Sequence, residues 1–387
     1  MMNVKEIYLW LVRWVSHLCG HRRLTDVVYL MSFGDNLPFI RAVAQAMKSS
    51  QRLTVFYRPQ QAAAAAQLAQ QGIHVVMFQD NLRFVATGIP RIMRAQTLYC
   101  DNYYAFLGGL AHPRGMRIVQ LWHAAGAIKS FGWDDPTTAQ RSMSDQRRFQ
   151  AVYDHFDEYV VGAPAMGDVF AHAYRVSPQR MQMLGYPRSD RLRDPDWLAQ
   201  TRARVARLAP ELTGHRVILY APTYREGVTF TPPRGLAAAL TADPTARVVV
   251  KLHPVLATQA TTLQHQLGDQ VVVAQHLSTT ELLTVTETLV TDYSSVAFDY
   301  SLLPNAHSLL FYLFDLPTYQ QEPGVQADFL NWLPGRALRD SQELAAAIVA
   351  DQPTDLTQFN QRWNTYNDGL ATQRVVARYH GLTHDND

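Results

Sequence analysis

The chain has 387 residues, 47% of them hydrophobic and 18% charged, with 35 lysines and arginines against 33 acidic residues. That length supports two cores, the composition excludes long disorder, and a net charge of +2 gives no basis for nucleic-acid binding. Cys19 and Cys100 are the only cysteines, which excludes a disulfide framework or a zinc pattern.

At the N-terminus, Ile7, Trp10, Leu11, Trp14, Val15 and Leu18 recur at helical spacing, interrupted by Lys5, Arg13 and His17 and followed by Arg22 and Arg23. No stretch approaches the ~20 uninterrupted apolar residues of a membrane span. Arg13 inside the apolar region, with no small-x-small site after it, argues against a cleavable signal peptide. Tryptophans on one face beside basic residues suit an anionic membrane surface. The plainer reading is a helix packed on its own domain.

Strand and helix patterns then alternate. Asp26–Ser32, Leu53–Tyr57, His74–Phe78, Thr97–Cys100 and Arg117–Leu121 read as strands, with helical stretches at Pro38–Met47 and the alanine-rich Gln60–Gln71. Short strands at Tyr159–Gly162 and Met181–Gly185 flank a helical Met166–Tyr174, and a polar stretch follows at Arg188–Arg207. A second set comprises Val217–Ala221, Arg247–Leu252, Gln270–Ala274, Thr288–Thr291 and His307–Tyr312. Helical material at Ser341–Ala350 and Leu356–Tyr379 closes the chain. Such alternation predicts α/β architecture with two parallel, Rossmann-like sheets. The expected division is an amphipathic helix over 1–24, an N-terminal domain over 25–175 and a C-terminal domain over 176–387. The boundary falls within Asp157–Asp190, and the final helices are free to pack back on the N-terminal domain.

Two strand ends carry chemistry. Leu289-Val290-Thr291-Asp292-Tyr293-Ser294-Ser295 delivers an acid and two hydroxyls to the C-terminal end of a strand, followed by a helical pattern through Asp299-Tyr300. In parallel sheets ligands sit at that end, and serines at the turn suit a phosphate. Plain helix capping by Ser294 and Ser295 is the competing reading. His123 lies just past the strand Val119–Leu121, beside Ala124, Ala125 and Gly126, small residues that leave room for a ligand. An imidazole there is a candidate general base, because its ordinary pKa near 6.5 keeps it neutral at cytoplasmic pH.

WHAAGAIKSFG, GYPRSD, LYAPTYRE, KLHP and TDYSSVAFDY, in that order, resemble the CDP-glycerol glycerophosphotransferase family, which builds teichoic acids in Gram-positive cell walls. Length and the WHAAGAIKSFG form are most similar to its short primase members. The resemblance implies a GT-B-like fold, two Rossmann-like domains facing a cleft. It implies transfer of sn-glycerol 3-phosphate from CDP-glycerol to a polyprenyl-diphosphate-linked disaccharide with release of CMP, at the cytoplasmic face of the membrane. It also supplies the family's motif histidine at His123 and its basic-x-His-Pro pattern at Lys251, His253 and Pro254. Lys251 stands where arginine is common, which weakens bidentate phosphate binding. His253 would hold donor phosphates or assist the leaving CMP, unless it only ends the strand.

Arg225 places a guanidinium at another strand end, suited to a phosphate oxyanion pair. Asp292 is expected to hold its turn through backbone N–H groups while Ser294 and Ser295 meet donor phosphate. Asp299, one helical turn on, faces the same site or a glycerol hydroxyl. Lys129 offers a charge to the acceptor's pyrophosphate or is merely solvated. Arg188 faces the cleft or pairs with Asp190. The chain departs from the family at Pro304-Asn305-Ala306-His307, where a Lys-Pro pair is common, before Phe311-Tyr312-Leu313-Phe314-Asp315-Leu316-Pro317-Thr318-Tyr319 resumes the pattern. No metal cage is expected, Asp134-Asp135 reads as a surface pair, and no cofactor is expected beyond the CDP-glycerol substrate. No P-loop, Ser-His-Asp order or CxxC appears. A glycerol- or ribitol-phosphate polymerase, a nucleotide-sugar glycosyltransferase and a non-catalytic membrane scaffold are the alternatives.

Overall fold

A computed structural model describes residues 4–21, 23–225, 230–253, 259–268, 271–274 and 276–381. Arg22, Pro254 and Gln270, which figure in the sequence reading, lie outside the described residues. The chain folds as two compact units. The first runs from the N-terminal helix to His123, resumes over Gly132–Asp190, and regains the chain from Tyr366 on. The second comprises Ala124–Phe131 and Arg191–Thr365. The sequence cut at 175/176 left the final helices free to pack back on the first domain, and the division differs from it at Ala124–Phe131 and at residues 176–190. Residues 176–190 stay with the first unit because they add a strand to its sheet, and the C-terminal helix Ala371–His380 puts Val375 into that unit's core.

Among the described residues the first unit carries seven strands: β1 (Asp26–Met31), β2 (Leu53–Tyr57), β3 (His74–Met77), β4 (Ala95–Cys100), β5 (Arg117–Gln120), β6 (Glu158–Val161) and β7 (Met181–Met183). All pair in parallel, in the order β3-β2-β1-β4-β5-β6-β7. The second unit carries β8 (Val217–Ala221), β9 (Arg247–Val250), β10 (Val271–Val273), β11 (Thr288–Thr291), β12 (Ser308–Tyr312) and β13 (Ala337–Leu338), ordered β10-β9-β8-β11-β12-β13 and again parallel. The two-residue β13 has no counterpart in the sequence reading. Central strands such as Val27–Met31 and Val217–Ala221 are buried throughout, as a sheet covered on both faces requires. Each order reverses once, between β1 and β4 and between β8 and β11, and such switch points open a crevice at the carboxyl ends of the strands.

The N-terminal helix, Val4–Cys19, packs one face on the first unit. Val12, Ser16 and Cys19 are buried, Ser16 Oγ accepts from Ala111 N at 2.8 Å, and Tyr8 bonds Asp80. Its opposite stripe is apolar and exposed: Ile7 44%, Trp10 55%, Trp14 54% and Leu18 63%. Among the described residues no helix is long and apolar enough to cross a membrane.

Ala124–Phe131 is seated by close packing in the second unit. Ala125 and Ile128 are buried, and Lys129 bridges Val325 in antiparallel fashion. Ser130 N donates to Gly324 O (3.1 Å) and Gln326 N to Ile128 O (2.8 Å). The sequence reading took the small residues after His123 as leaving room for a ligand, whereas the space beside Gly126 is filled. They let the backbone approach Phe298, whose ring a Cβ on Gly126 would meet at 2.5 Å. Gly126→Ala should destabilise the protein by ~1–3 kcal/mol of overpacking, measured by denaturant melts. Combining it with Phe298→Leu should recover part of the loss.

Candidate active site

In the first unit the site grows from the switch point. β1 ends into Ser32-Phe33 and β4 into Asp101. The Asp101 carboxylate, fully buried, accepts from Ser32 N (2.9 and 3.0 Å), Phe33 N (3.0 Å) and Tyr104 Oη (3.0 Å). Those donors favour the charged form, but burial outweighs them and raises its pKa to about 7. β5 delivers Gln120, whose side chain accepts from Trp122 N (2.9 Å) and donates to Asn102 O (3.1 Å). Trp122 adopts φ of 58°, a conformation costly for a bulky residue and therefore a mark of a specialised turn.

That turn aims His123. Its ring stacks on Phe33 (centroids 4.5 Å apart, 21°) and lies 4.2 Å from the Trp122 ring. Nδ1 is 3.3 Å from the Asp101 carbonyl oxygen. A carbonyl only accepts, so Nδ1 carries the proton and Nε2 is the basic nitrogen. Burial lowers the pKa to about 4; the bond to Asp101 and the charge of Asp35 oppose this, and Arg188 assists it. The imidazole is thus neutral and able to take a proton. Arg188 is buried near it, while Asp190 accepts from Ala371 N (3.0 Å) and Thr372 N (2.7 Å) to cap the C-terminal helix.

The second unit repeats the device. Asp292, buried after β11, accepts from Thr223 N (2.8 Å) and Tyr293 N (2.7 Å), so the loop after β8 is tied across the switch point. Its other oxygen meets Arg225 Nη2 at 3.1 Å. Arg225 also pairs with Asp315 (2.7 Å) and donates to Thr223 O, and its guanidinium lies over the Tyr319 and Phe314 rings. Tyr293 donates to Asp315 (3.1 Å) and stacks on Tyr319 at 3.7 Å. Arg225 is thereby committed to carboxylates, and its first role is to brace this corner rather than to present an open fork.

Lys129 joins the same corner. Burial lowers its pKa, the charge of Asp292 opposes that and Arg225 adds to it. His253 is exposed and stacks on Tyr224 (5.2 Å, 25°). Burial, then the charge of Lys129, lowers its pKa. Lys251 is buried, and burial lowers its pKa against Glu281. Ser294 Oγ accepts from Val296 N at 3.3 Å, whereas Ser295, at the helix N-cap, makes no capping bond with its side chain. Asp299 is 91% buried in the following helix. The Pro304–His307 departure lies at the opposite end of the strands, before β12. Asn305 bonds the carbonyls of Leu283 and Thr286 before β11, and His307 N bonds Glu287 O.

The sequence reading thus located both strand-end turns but missed Asp101, Phe33 and Asp315. Lys129, assigned there to acceptor or cleft, sits with Asp292, Arg225 and His253 in the second unit. Among the described residues no group of three His, Cys, Asp or Glu is placed to hold a metal ion.

Two parallel sheets of Rossmann order, one ending in a neutral histidine and the other in an aspartate turn that bears two serines, define a two-domain GT-B-like transferase. The sequence profile of the CDP-Glycerol:Poly(glycerophosphate) glycerophosphotransferase family matches residues 26–380, and the chain belongs to that family. It is 28% identical over 359 residues to the teichoic acid glycerol-phosphate primase of Bacillus subtilis (strain 168), spanning 91% of each chain. It is 30% identical over 293 residues to the teichoic acid ribitol-phosphate primase of Bacillus spizizenii (strain ATCC 23059 / NRRL B-14472 / W23), spanning 73% of this chain and 74% of that one. The solved wall teichoic acid polymerase TagF shares the fold, with a TM-score of 0.71 at 18% identity over 97% of this chain and 95% of that one.

The depressed pKa of His123 fixes a pH dependence. An essential neutral imidazole gives kcat/KM an acid limb near about 4, well below the ordinary histidine value. A limb centred near 6.5 in the pH profile of CDP-glycerol turnover would show that another group, or a solvated His123, controls the rate. For stability the sign is that of a folded-state pKa below the unfolded one. Stability is full above about 6.5 and is lost as pH falls toward about 4.

Proposed function

We propose that this enzyme is a glycerol-phosphate primase of wall teichoic acid synthesis. It transfers sn-glycerol 3-phosphate from CDP-glycerol to a polyprenyl-diphosphate-linked disaccharide and releases CMP. The observation that carries the transferase chemistry is His123, held neutral with Nε2 as its basic atom. The primase reading rests on the relatives of similar length, matched over 91% of both chains.

The acceptor hydroxyl attacks the phosphorus that bears glycerol, and its proton passes to His123 Nε2. The bond from that phosphorus to the bridging oxygen breaks and CMP departs. Negative charge on the donor diphosphate is met in the second unit by Lys129 and His253, with the Ser294 and Ser295 hydroxyls as donors. Lys251, buried, and Arg225, half-buried, support these groups, and Asp292 holds the turn. Asp299 lies buried one helical turn past Ser295. Arg188 acts in the first unit through its charge on His123. No cofactor enters this scheme.

The test is mass spectrometry of the product made by the purified protein from CDP-glycerol and a soluble lipid-linked disaccharide analogue. One added glycerol phosphate is expected; a ladder would replace the primase reading with a polymerase. No product with that donor, and transfer from a nucleotide sugar instead, would favour a glycosyltransferase. His123→Ala should nearly abolish turnover, and full activity would revive the scaffold alternative.

A lipid-linked acceptor also gives the N-terminal helix a task at the cytoplasmic membrane surface. Its stripe of Ile7, Trp10, Trp14 and Leu18 is exposed beside Lys5, Arg13 and His17, the arrangement of an interfacial helix on anionic lipid. Trp10→Glu with Trp14→Glu should weaken binding to phosphatidylglycerol vesicles at least ~10-fold without shifting the melting temperature. Unchanged vesicle binding would remove the helix as anchor.

A further inference from the structure

The loop Ser32-Phe33 has no evident chemistry of its own, yet it forms one wall of the His123 pocket. What fixes it is remote in sequence. Asp101 takes the Ser32 and Phe33 amides on its carboxylate at 2.9 to 3.0 Å, and its own carbonyl oxygen faces His123 Nδ1 at 3.3 Å. Tyr104 closes the clamp, donating to Asp101 at 3.0 Å and lying 2.8 Å from Ser32 Oγ. Gln61 Nε2 adds a bond to Ser32 O at 3.0 Å. A carboxylate this deeply buried is costly unless it is well bonded, and fully bonded it rigidifies its surroundings.

We propose that Asp101 is the positioning residue of the reaction. Its carboxylate seats Phe33 against the imidazole, and its carbonyl selects the tautomer that leaves Nε2 basic. This rests on the assignment of His123 as base. Asp101 touches no reacting atom. It acts by keeping the imidazole dry and oriented, which matters because a misplacement of about 1 Å in a reacting group costs roughly a hundredfold in rate.

Asp101→Asn tests this, because the amide keeps the shape but turns a donor toward backbone N–H groups. The expected result is a kcat lower by about ten- to a hundredfold with the CDP-glycerol KM within about twofold. As Phe33 leaves and water enters, the His123 ring should titrate higher, moving from about 4 toward the ordinary 6.5. The ring pKa is read by NMR of histidine-labelled protein, its signal assigned by loss in His123→Gln, and the acid limb of kcat/KM should move with it. Arg188, which lowers the His123 pKa, lies outside the clamped loop; Asp35, which raises it, lies two residues past Phe33, and repeating the titration in Asp35→Asn separates its charge from the clamp. Phe33→Ala should reproduce the shift with Asp101 intact, which keeps the test valid if Asp101→Asn fails to fold. An Asp101→Asn protein with reduced kcat but unchanged ring pKa and acid limb would confine Asp101 to a structural role and overturn the proposal. An active His123→Ala would refute the base assignment instead, while the NMR shift would still report whether Asp101 and Phe33 position the ring.

Discussion

In each unit the site depends on one buried aspartate at the carboxyl end of the strand across the switch point. Asp101 follows β4 and holds the loop after β1; Asp292 follows β11 and holds the loop after β8. The physical problem is the same in both. Where parallel strands diverge, the last backbone N–H groups lose their ladder partners, and leaving them unpaired in a buried corner is expensive. A carboxylate can accept several such groups at once. It converts an open crevice into a rigid floor from which neighbouring side chains project. His123 and Phe33 project from one floor, and Arg225, Tyr293 and Asp315 surround the other.

The aspartates also explain why the site was only partly legible in sequence. The strands were readable because a sheet covered on both faces writes them as continuous apolar runs, such as Val27–Met31 and Val217–Ala221. The turn at Asp292 and the histidine at position 123 were readable because each stands directly at the end of such a run. Asp101 stands there too, after Tyr99-Cys100, but its meaning lies in amides 68 and 69 residues away. Pattern reading along the chain does not report such pairs. Asp315 and Tyr319 lay inside a recognised motif, and only the ring stack and the Arg225 pair give them a role.

Local polarity hid other elements. Met143–His155 and Pro195–Leu208 are helices whose exposed faces are rich in charge, so their apolar stripes are thin. Their starts were nonetheless marked. Ser142 caps the first through Asp145 N, and Asp194 followed by Pro195 caps the second. The reverse error occurred after His123. Ala124-Ala125-Gly126 looked like space for a ligand, although small residues serve equally where two backbones or a backbone and a ring must approach closely. Phe298 beneath Gly126 decides between these.

Burial acts in the same direction on the basic groups of both units. Around His123 it keeps the ring neutral. Around Lys129 the same withdrawal of water disfavours positive charge, and the charge of Asp292 opposes it. Arg225 follows the opposite course. It is neutralised in advance by Asp292 and Asp315, which makes it a fixed strut rather than a waiting ligand. Its role therefore follows from the two carboxylates that the fold sets against it.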